Sequence, residues 1–311
     1  MSLEPAVVRE LLWANLREIP AFRALIRTIE GRLLLEHQLE HGALPRPLLD
    51  IGCGDGHFAE VFLADSSSRE GAGAPEKEHA ADSSAPRDVP GTVGIDLDFT
   101  RVRQSARRGA YRHLGTASAA GLPFADASFG AVLANCALEH MPELDAVLAE
   151  IGRVLRPGGT FVFTVPNDRH NRNLLLARAL DGVGLARPAA AYREWFRRIQ
   201  VHFHMYSAAE WRRRVEAHGF EVTSCRGYLS RKATVILELG HYAGWHNVLS
   251  QKLFHRWVLV PLRPLFFFTE RLLLPRVTED GLPGSSCEFF VARKVPAPPG
   301  AGRPRNGPEL E

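Results

Sequence analysis

Pro47-Leu48-Leu49-Asp50-Ile51-Gly52-Cys53-Gly54-Asp55-Gly56 decides how this chain is read. A short apolar run ends in an acid, and glycines follow at the alternate positions 52, 54 and 56. The run has the character of a buried strand. The glycines permit a tight turn and let the backbone lie against a ligand. His57-Phe58-Ala59-Glu60-Val61-Phe62-Leu63 then reads as a helix, the next piece of a βαβ unit, whose first N–H groups would point into the same crevice. A dinucleotide fingerprint would place a third glycine, or an alanine, at position 57, and this chain has His there.

Working outward, the 311 residues are 45% hydrophobic and 23% charged, which suits one large globular domain with insertions. The 38 basic and 35 acidic residues nearly balance, which argues against nucleic acid as the main partner. Cys53, Cys136, Cys225 and Cys287 are isolated, with no C-x-x-C pair. They read as reduced thiols, and a cytoplasmic location is expected. The N-terminus carries Glu4, Arg9 and Glu10 and lacks a signal-peptide core. No uncharged run reaches the roughly 18 residues a membrane span needs.

Before the glycine turn, residues 5–40 look helical in two pieces parted at Pro20, an N-terminal helical cap over 1–46. Phe22, Leu25, Ile26, Ile29 and Leu33 repeat there at helical spacing. Residues 65–91, rich in Ser, Gly, Ala and Asp, have little to bury and read as a disordered insertion. Pattern returns with a strand over 92–96 that ends at Asp96, a basic helical segment over 99–108 and a short strand near 111–114. A buried strand over 131–134 and an amphipathic helix over 144–155 follow. Pro157-Gly158-Gly159 then precedes a strand over 160–165. Strand and helix in alternation predict an α/β fold: a doubly wound, Rossmann-like sheet of seven strands, mostly parallel, forming a core over 47–294. Ser207-Ala208-Ala209-Glu210 is a capping box that opens a helix ended by Gly219. Strands near 221–225 and 286–292 would complete the sheet. Residues 168–206 and 229–284 read as insertions, and 295–311 as a flexible tail.

In such a sheet, ligands bind beyond the carboxyl ends of the strands, where strand order reverses. Asp50 and Asp96 both fall on that edge. A carboxylate ending the second strand can accept from both hydroxyls of a ribose, although it could equally cap a turn or helix. Further along stand Gly121-Leu122-Pro123-Phe124-Ala125-Asp126-Ala127-Ser128-Phe129, Leu138-Glu139-His140-Met141 and Arg153-Val154-Leu155-Arg156-Pro157-Gly158-Gly159. With the glycine turn, they resemble, in order and spacing, the class I S-adenosylmethionine-dependent methyltransferases, in particular the small-molecule, ubiquinone-biosynthesis-like group. The resemblance covers residues 47–167 well and 207–225 moderately.

That resemblance implies S-adenosylmethionine as cofactor and a site laid out by position. Asp50 and the Gly52-Cys53-Gly54 backbone would hold the methionine part, with Gly56 close against the cofactor. Asp96 would bind the ribose, Leu97 would pack on the adenine, and Asn135 would offer its backbone to the amino end. His140 would stand on the rim between cofactor and substrate. Two positions depart from the group. Ser118 replaces the Asp that usually receives the adenine amino group, and a hydroxyl accepts more weakly than a carboxylate. Gly130 replaces a common Asp, with an effect expected on local structure.

The implied reaction is an in-line displacement from a sulfonium, for which the protein chiefly supplies alignment and exclusion of water. A protonated nucleophile needs a general base. His140 and His202 are the candidates; helix capping or packing is the alternative for His140. His202 and His204 share one side of an extended segment, without an obvious third ligand for a metal. Asn167 and Asp168 would line the pocket or make a turn. Residues 252–275 are unusually apolar and aromatic, with Arg256, Arg263 and Arg271 spaced to share a face. They would pack on the sheet, cover a greasy substrate, or give the protein a peripheral contact with a membrane. The expected acceptor is a small or lipid-linked hydrophobic molecule, methylated at oxygen. A nicotinamide-dependent oxidoreductase and a non-catalytic S-adenosylmethionine-binding protein are the rivals.

Overall fold

The computed structural model describes residues 2–63, 91–254, 256–279, 281 and 283–296, with only the backbone at 245 and 246. The expected segments at 65–91 and 295–311 therefore fall almost wholly outside the described residues.

Seven strands form one sheet in the order β3-β2-β1-β4-β5-β7-β6. They are β1 (Leu48–Ile51), β2 (Thr92–Asp96), β3 (His113–Thr116), β4 (Phe129–Asn135), β5 (Leu155–Pro166), β6 (Phe220–Tyr228) and β7 (Cys287–Lys294). The first five pair in parallel, and β7 runs antiparallel to both neighbours. The sheet is thus the expected doubly wound one. Several boundaries differ from the sequence reading: β4, β6 and β7 run over Phe129–Asn135, Phe220–Tyr228 and Cys287–Lys294 rather than 131–134, 221–225 and 286–292. β3 begins at His113 rather than Tyr111. β5 begins at Leu155, because the chain pairs with Phe129, bulges through Pro157-Gly158-Gly159 and pairs again at Thr160.

The strands are apolar on both faces, as parallel strands covered by helices must be. Leu48, Ala131, Leu133 and Val162 join the apolar layer beneath α1 (Pro5–Leu16) and α2 (Ala21–His41), the two helices parted at Pro20. Leu49, Val132, Phe161 and Phe163 join the opposite layer under α5 (Leu144–Val154) and α8 (Ala208–Ala217). Each strand thus divides its neighbours between the two layers, the period of two expected for extended chain. Ser207 caps α8 by accepting from the Glu210 N–H, as the capping box anticipates.

Between β1 and β2 lies α3 (His57–Phe62), and α4 (Phe99–Ala106) follows β2. The two expected insertions are helical. α6 (Leu175–Gly182) and α7 (Ala186–Ile199) fill the first; α9 (Arg231–Ala243), α10 (Trp245–Phe254) and α11 (Phe267–Val277) fill the second. α11 and α9 pack against α2 and α1 rather than directly on the sheet. The three arginines of the second insertion do not share a face. Arg263 turns inward to Glu10 and Glu270 and lies 5.6 Å from the Trp13 ring, because those carboxylates lie on that side. Arg256 and Arg271 remain exposed.

Candidate active site

Strand order reverses between β1 and β4, and a cleft of about 550 Å³ opens there at the carboxyl ends of the strands. The glycine turn forms its floor. Gly52, Gly54 and Gly56 all have positive φ (75°, 58° and 79°), a conformation that strains other residues. The turn is hung on β2: the N–H groups of Gly52 and Cys53 donate to the Ile95 carbonyl at 2.8 and 2.9 Å. A Cβ on Gly52 would come within 2.8 Å of Ala137 Cβ, whereas one on Gly54 would meet nothing within 4 Å. The backbone at 54 therefore borders open space that a ligand can occupy.

Asp96 ends β2 and lines the cleft. Its Oδ2 accepts from Gly54 N and its Oδ1 from Asp98 N, both at 2.9 Å. A carboxylate has about four lone-pair sites, so two remain for a diol. Leu97, next in the chain, is 75% exposed and presents an apolar surface beside it. Ser118 lines the same end; its Oγ accepts from Ala120 N at 3.2 Å. A carboxylate at two strand-end oxygens, an exposed Leu and a serine hydroxyl make an adenosine-shaped set.

One expected cofactor residue sits elsewhere. Asp50 is buried beneath the turn, where its carboxylate accepts from the Tyr111 hydroxyl, and burial pushes its pKa up to about 6. Tyr111 reaches it across Gly94, where a Cβ would lie 2.9 Å from the Tyr111 ring. Asp50 thus anchors the strand end and does not face the cleft. Asn135, whose backbone was the expected contributor, has its side chain tied into the scaffold: Nδ2 donates to Glu30 at 2.9 Å and Oδ1 accepts from the Thr164 hydroxyl at 2.8 Å. The wall at the end of β4 is formed instead by Cys136 and Ala137. Gly130 cannot take the Asp common in the group, because its Cβ would meet the Arg46 carbonyl and Pro45 at 2.9 Å.

The acceptor side carries the histidines. His140 lines the rim in a short 3₁₀ turn, Leu138–His140. Its Nδ1 lies 3.0 Å from the Val201 carbonyl, so Nδ1–H donates there and the Nε2 lone pair is left free. Partial burial lowers its pKa. His202 is buried behind it rather than on the cleft wall, with the two rings 5.2 Å apart; burial pushes its pKa down to about 2. His204 Nε2–H donates to the Met141 carbonyl and Nδ1 accepts from the Tyr206 hydroxyl, which ties it into the scaffold. Asn167 donates to Ser285 and Glu288 on the far side of β5, a structural role.

Several residues beyond the expected site residues line or support the cleft. Glu139 is buried beside His140, its Oε1 3.8 Å from Nε2, and burial pushes its pKa up to about 8. Cys136 and Val201 line the cleft with φ of 46° and 57°, a rare conformation that is strained for a β-branched residue. From α2, Glu30 accepts from Asn135, Cys136 Sγ, the Tyr228 hydroxyl and Arg27, tying the N-terminal helix to the cleft wall. The one signal for Glu30 is an acid beside Ile29 on an otherwise apolar helix stripe. Atoms of Glu139, His140 and His202 lie within 4.8 Å of one another, close enough to hold a divalent ion. Glu18, His57 and Glu60 are similarly spaced, but both carboxylates already engage Arg108.

The doubly wound sheet, with a cleft at the carboxyl ends of its strands where their order reverses, defines a Rossmann-like α/β domain. Residues 21–225 match the family described as methyltransferase domain, and the chain belongs to that family. Its cofactor is S-adenosylmethionine. The chain is 30% identical over 156 residues to a malonyl-[acyl-carrier protein] O-methyltransferase of Methylococcus capsulatus, covering 49% of each. It is 35% identical over 130 residues to the nocamycin O-methyltransferase of Saccharothrix syringae, covering 39% of each. The chain spans about half or less of the length of these curated relatives. A candidate sarcosine dimethylglycine methyltransferase from Galdieria sulphuraria superposes with a TM-score of 0.50 at 13% identity, over 85% of this chain and 84% of that one. At that identity it shows the fold alone. His57, which breaks the dinucleotide fingerprint, is buried with Nε2 2.9 Å from Asn15 Oδ1, pinning α3 to α1.

Proposed function

We propose that this protein methylates an oxygen of a small or lipid-linked hydrophobic acceptor, with His140 as general base. The observation that carries the reading is the tautomer of His140: Nδ1–H is committed to the Val201 carbonyl, so Nε2 is a free base on the rim of the cleft. When bound, S-adenosylmethionine supplies an activated methyl group on a sulfonium sulfur. An acceptor hydroxyl beside Nε2 would give up its proton to His140 as its oxygen takes that methyl group, so that the imidazole becomes charged. Glu139, neutral beforehand because of burial, gains from ionising once the imidazole 3.8 Å away is charged. His202 packs on His140 and holds its ring in place. Asp96, Leu97 and Ser118 hold the adenosine part, and the backbone at Gly52–Gly54 adjoins the methionine part. The O-methyltransferase names of the two curated relatives favour oxygen, and the apolar second insertion favours a hydrophobic acceptor.

The test is a lipid and metabolite extract incubated with the protein and trideuteromethyl S-adenosylmethionine, followed by mass spectrometry. An apolar product labelled on oxygen is expected; label only on nitrogen or carbon overturns the assignment. With that acceptor, His140→Ala should lower kcat by about 10²–10⁴ while leaving S-adenosylhomocysteine affinity unchanged.

A further inference from the structure

The second insertion leaves an apolar, cationic surface that the methyl-transfer site does not use. On α11 and the turn before it, Leu265, Phe268 and Leu272 are 66%, 80% and 59% exposed, at helical spacing on one side. Leu253 and Phe254 on α10, and Leu259, Val260 and Leu262 in the connection, are exposed as well. Leu259, Leu265 and Leu272 frame an apolar groove of about 660 Å³ floored by Phe22, Trp257 and Phe266. A contiguous patch of this kind marks a site of contact.

Charge says with what. Residues 247–276 carry Lys252, Arg256, Arg263, Arg271 and Arg276 against one acid, Glu270. Arg263 and Arg276 are taken up by Glu10, Glu270 and Glu279. Lys252, Arg256 and Arg271 are exposed and, among the described residues, have no carboxylate partner. Unpaired cations set among exposed leucines and phenylalanines suit an anionic bilayer: the side chains enter the acyl layer and the cations meet the headgroups. No helix among the described residues is long and apolar enough to cross a membrane, so the contact is with one leaflet.

The surface also lies near the cleft. Phe22 in the groove and Glu30 at the cleft wall are eight residues apart on α2, about 12 Å along the helix. A Cβ on Gly240 of α9 would come within 2.4 Å of Phe22, so α9 and α2 pack in close contact there. His241 packs between Phe22 (4.7 Å, tilted) and Phe196 (5.3 Å, edge-on) of α7, the helix that leads into Gln200 and Val201 on the cleft. We propose that the α10–α11 surface docks this protein on an anionic lipid bilayer, with lipid acyl chains in the groove, beside the site that methylates the acceptor.

The inference goes beyond the acceptor chemistry and is tested apart from it. Full-length protein is sedimented with vesicles of phosphatidylcholine alone or with about one third phosphatidylglycerol. Preferential binding to the anionic vesicles is expected, weakened by high salt. Leu265→Glu with Phe268→Glu should lower that binding at least roughly tenfold, with the same thermal midpoint and the same S-adenosylhomocysteine affinity. Lys252→Glu with Arg271→Glu should abolish the preference for anionic vesicles. The proposal falls if wild-type protein stays in the supernatant at low salt, or if the Leu265/Phe268 variant binds as well as wild type. It also falls if the patch holds a dimer in solution that Phe268→Glu dissociates and vesicles do not. Wild-type protein that binds S-adenosylhomocysteine but does not sediment with anionic vesicles tells against the docking surface alone; wild-type protein that does not bind S-adenosylhomocysteine tells against the methyltransferase site.

Discussion

Asp96→Ala tests the cofactor site most directly. In the protein the carboxylate accepts two backbone N–H groups, from Gly54 and Asp98, which leaves about two lone-pair sites facing the cleft. Those two are the seats for the ribose hydroxyls. A hydrogen bond to a charged group contributes about 1.5–3 kcal/mol, so losing two removes roughly 3–6 kcal/mol. The lower end applies because water enters the truncated site, and it corresponds to a weakening of Kd of about 10²–10³. The Gly54 N–H also loses its acceptor, which loosens the turn that borders the methionine part. Asp96→Asn keeps the shape and one acceptor and should weaken Kd by only about 10–100-fold. The assay is isothermal titration with S-adenosylhomocysteine, accompanied by circular dichroism to show that both variants are folded. A folded Asp96→Ala protein whose Kd stays within about threefold of wild type refutes the ribose assignment, since that is under 1 kcal/mol.

Ser118→Asp restores the carboxylate that the wider group uses for the adenine amino group. It should tighten S-adenosylhomocysteine binding about 3–30-fold by the same titration, and weaker binding would mean that the adenine lies elsewhere. Glu139 sets a pH dependence. Its folded pKa, about 8, is raised above the ordinary 4.5, so its contribution is most favourable below 4.5 and is lost as pH rises towards 8. The full span is at most roughly 5 kcal/mol, and Glu139→Gln should therefore gain stability relative to wild type between pH 5 and 8, as thermal melts at each pH would show. A constant difference across that range would contradict the buried, neutral carboxyl. Glu30→Ala removes the acceptor of Arg27, Asn135, Cys136 and Tyr228 and should cost about 3–5 kcal/mol in urea unfolding, because it leaves the half-buried Arg27 guanidinium and the buried Asn135 and Tyr228 donors unpaired. An effect below 1 kcal/mol would show that this cluster does not hold α2 in place.

Much of the architecture was legible because its signals are local. Apolar runs ending in acids marked β1 and β2, and the glycine turn, Leu-Pro-Phe and Pro-Gly-Gly fixed the order of the parts. Asp96 and Leu97 could be placed because a strand's end fixes which edge its last residues occupy. Asp50 was placed on that edge correctly but facing the wrong way. Sequence gives the height of a residue along a strand, while its orientation depends here on Tyr111 crossing Gly94. Val201 carried no signal at all, since its left-handed backbone is imposed by the packing of the 200–204 segment, whose Phe203 and His204 N–H groups donate to the Glu139 carbonyl. The helices of the second insertion were read as packing on the sheet, on a membrane or over the substrate; their neighbours are α1 and α2, which periodicity cannot specify.

The cluster around Glu30 has a consequence for how the protein comes into being. Its partners Asn135 and Tyr228 lie 105 and 198 residues further along the chain. During synthesis the glycine turn and Asp96 emerge early and can pair as soon as β1 meets β2. The wall that faces them is anchored only after Tyr228 has left the ribosome and the sheet has closed around it. Contacts so far apart in sequence are slow to form. A nascent chain halted before β6 would carry a cofactor turn without its opposite wall, and the acid on α2 would still lack the tyrosine partner of the finished fold.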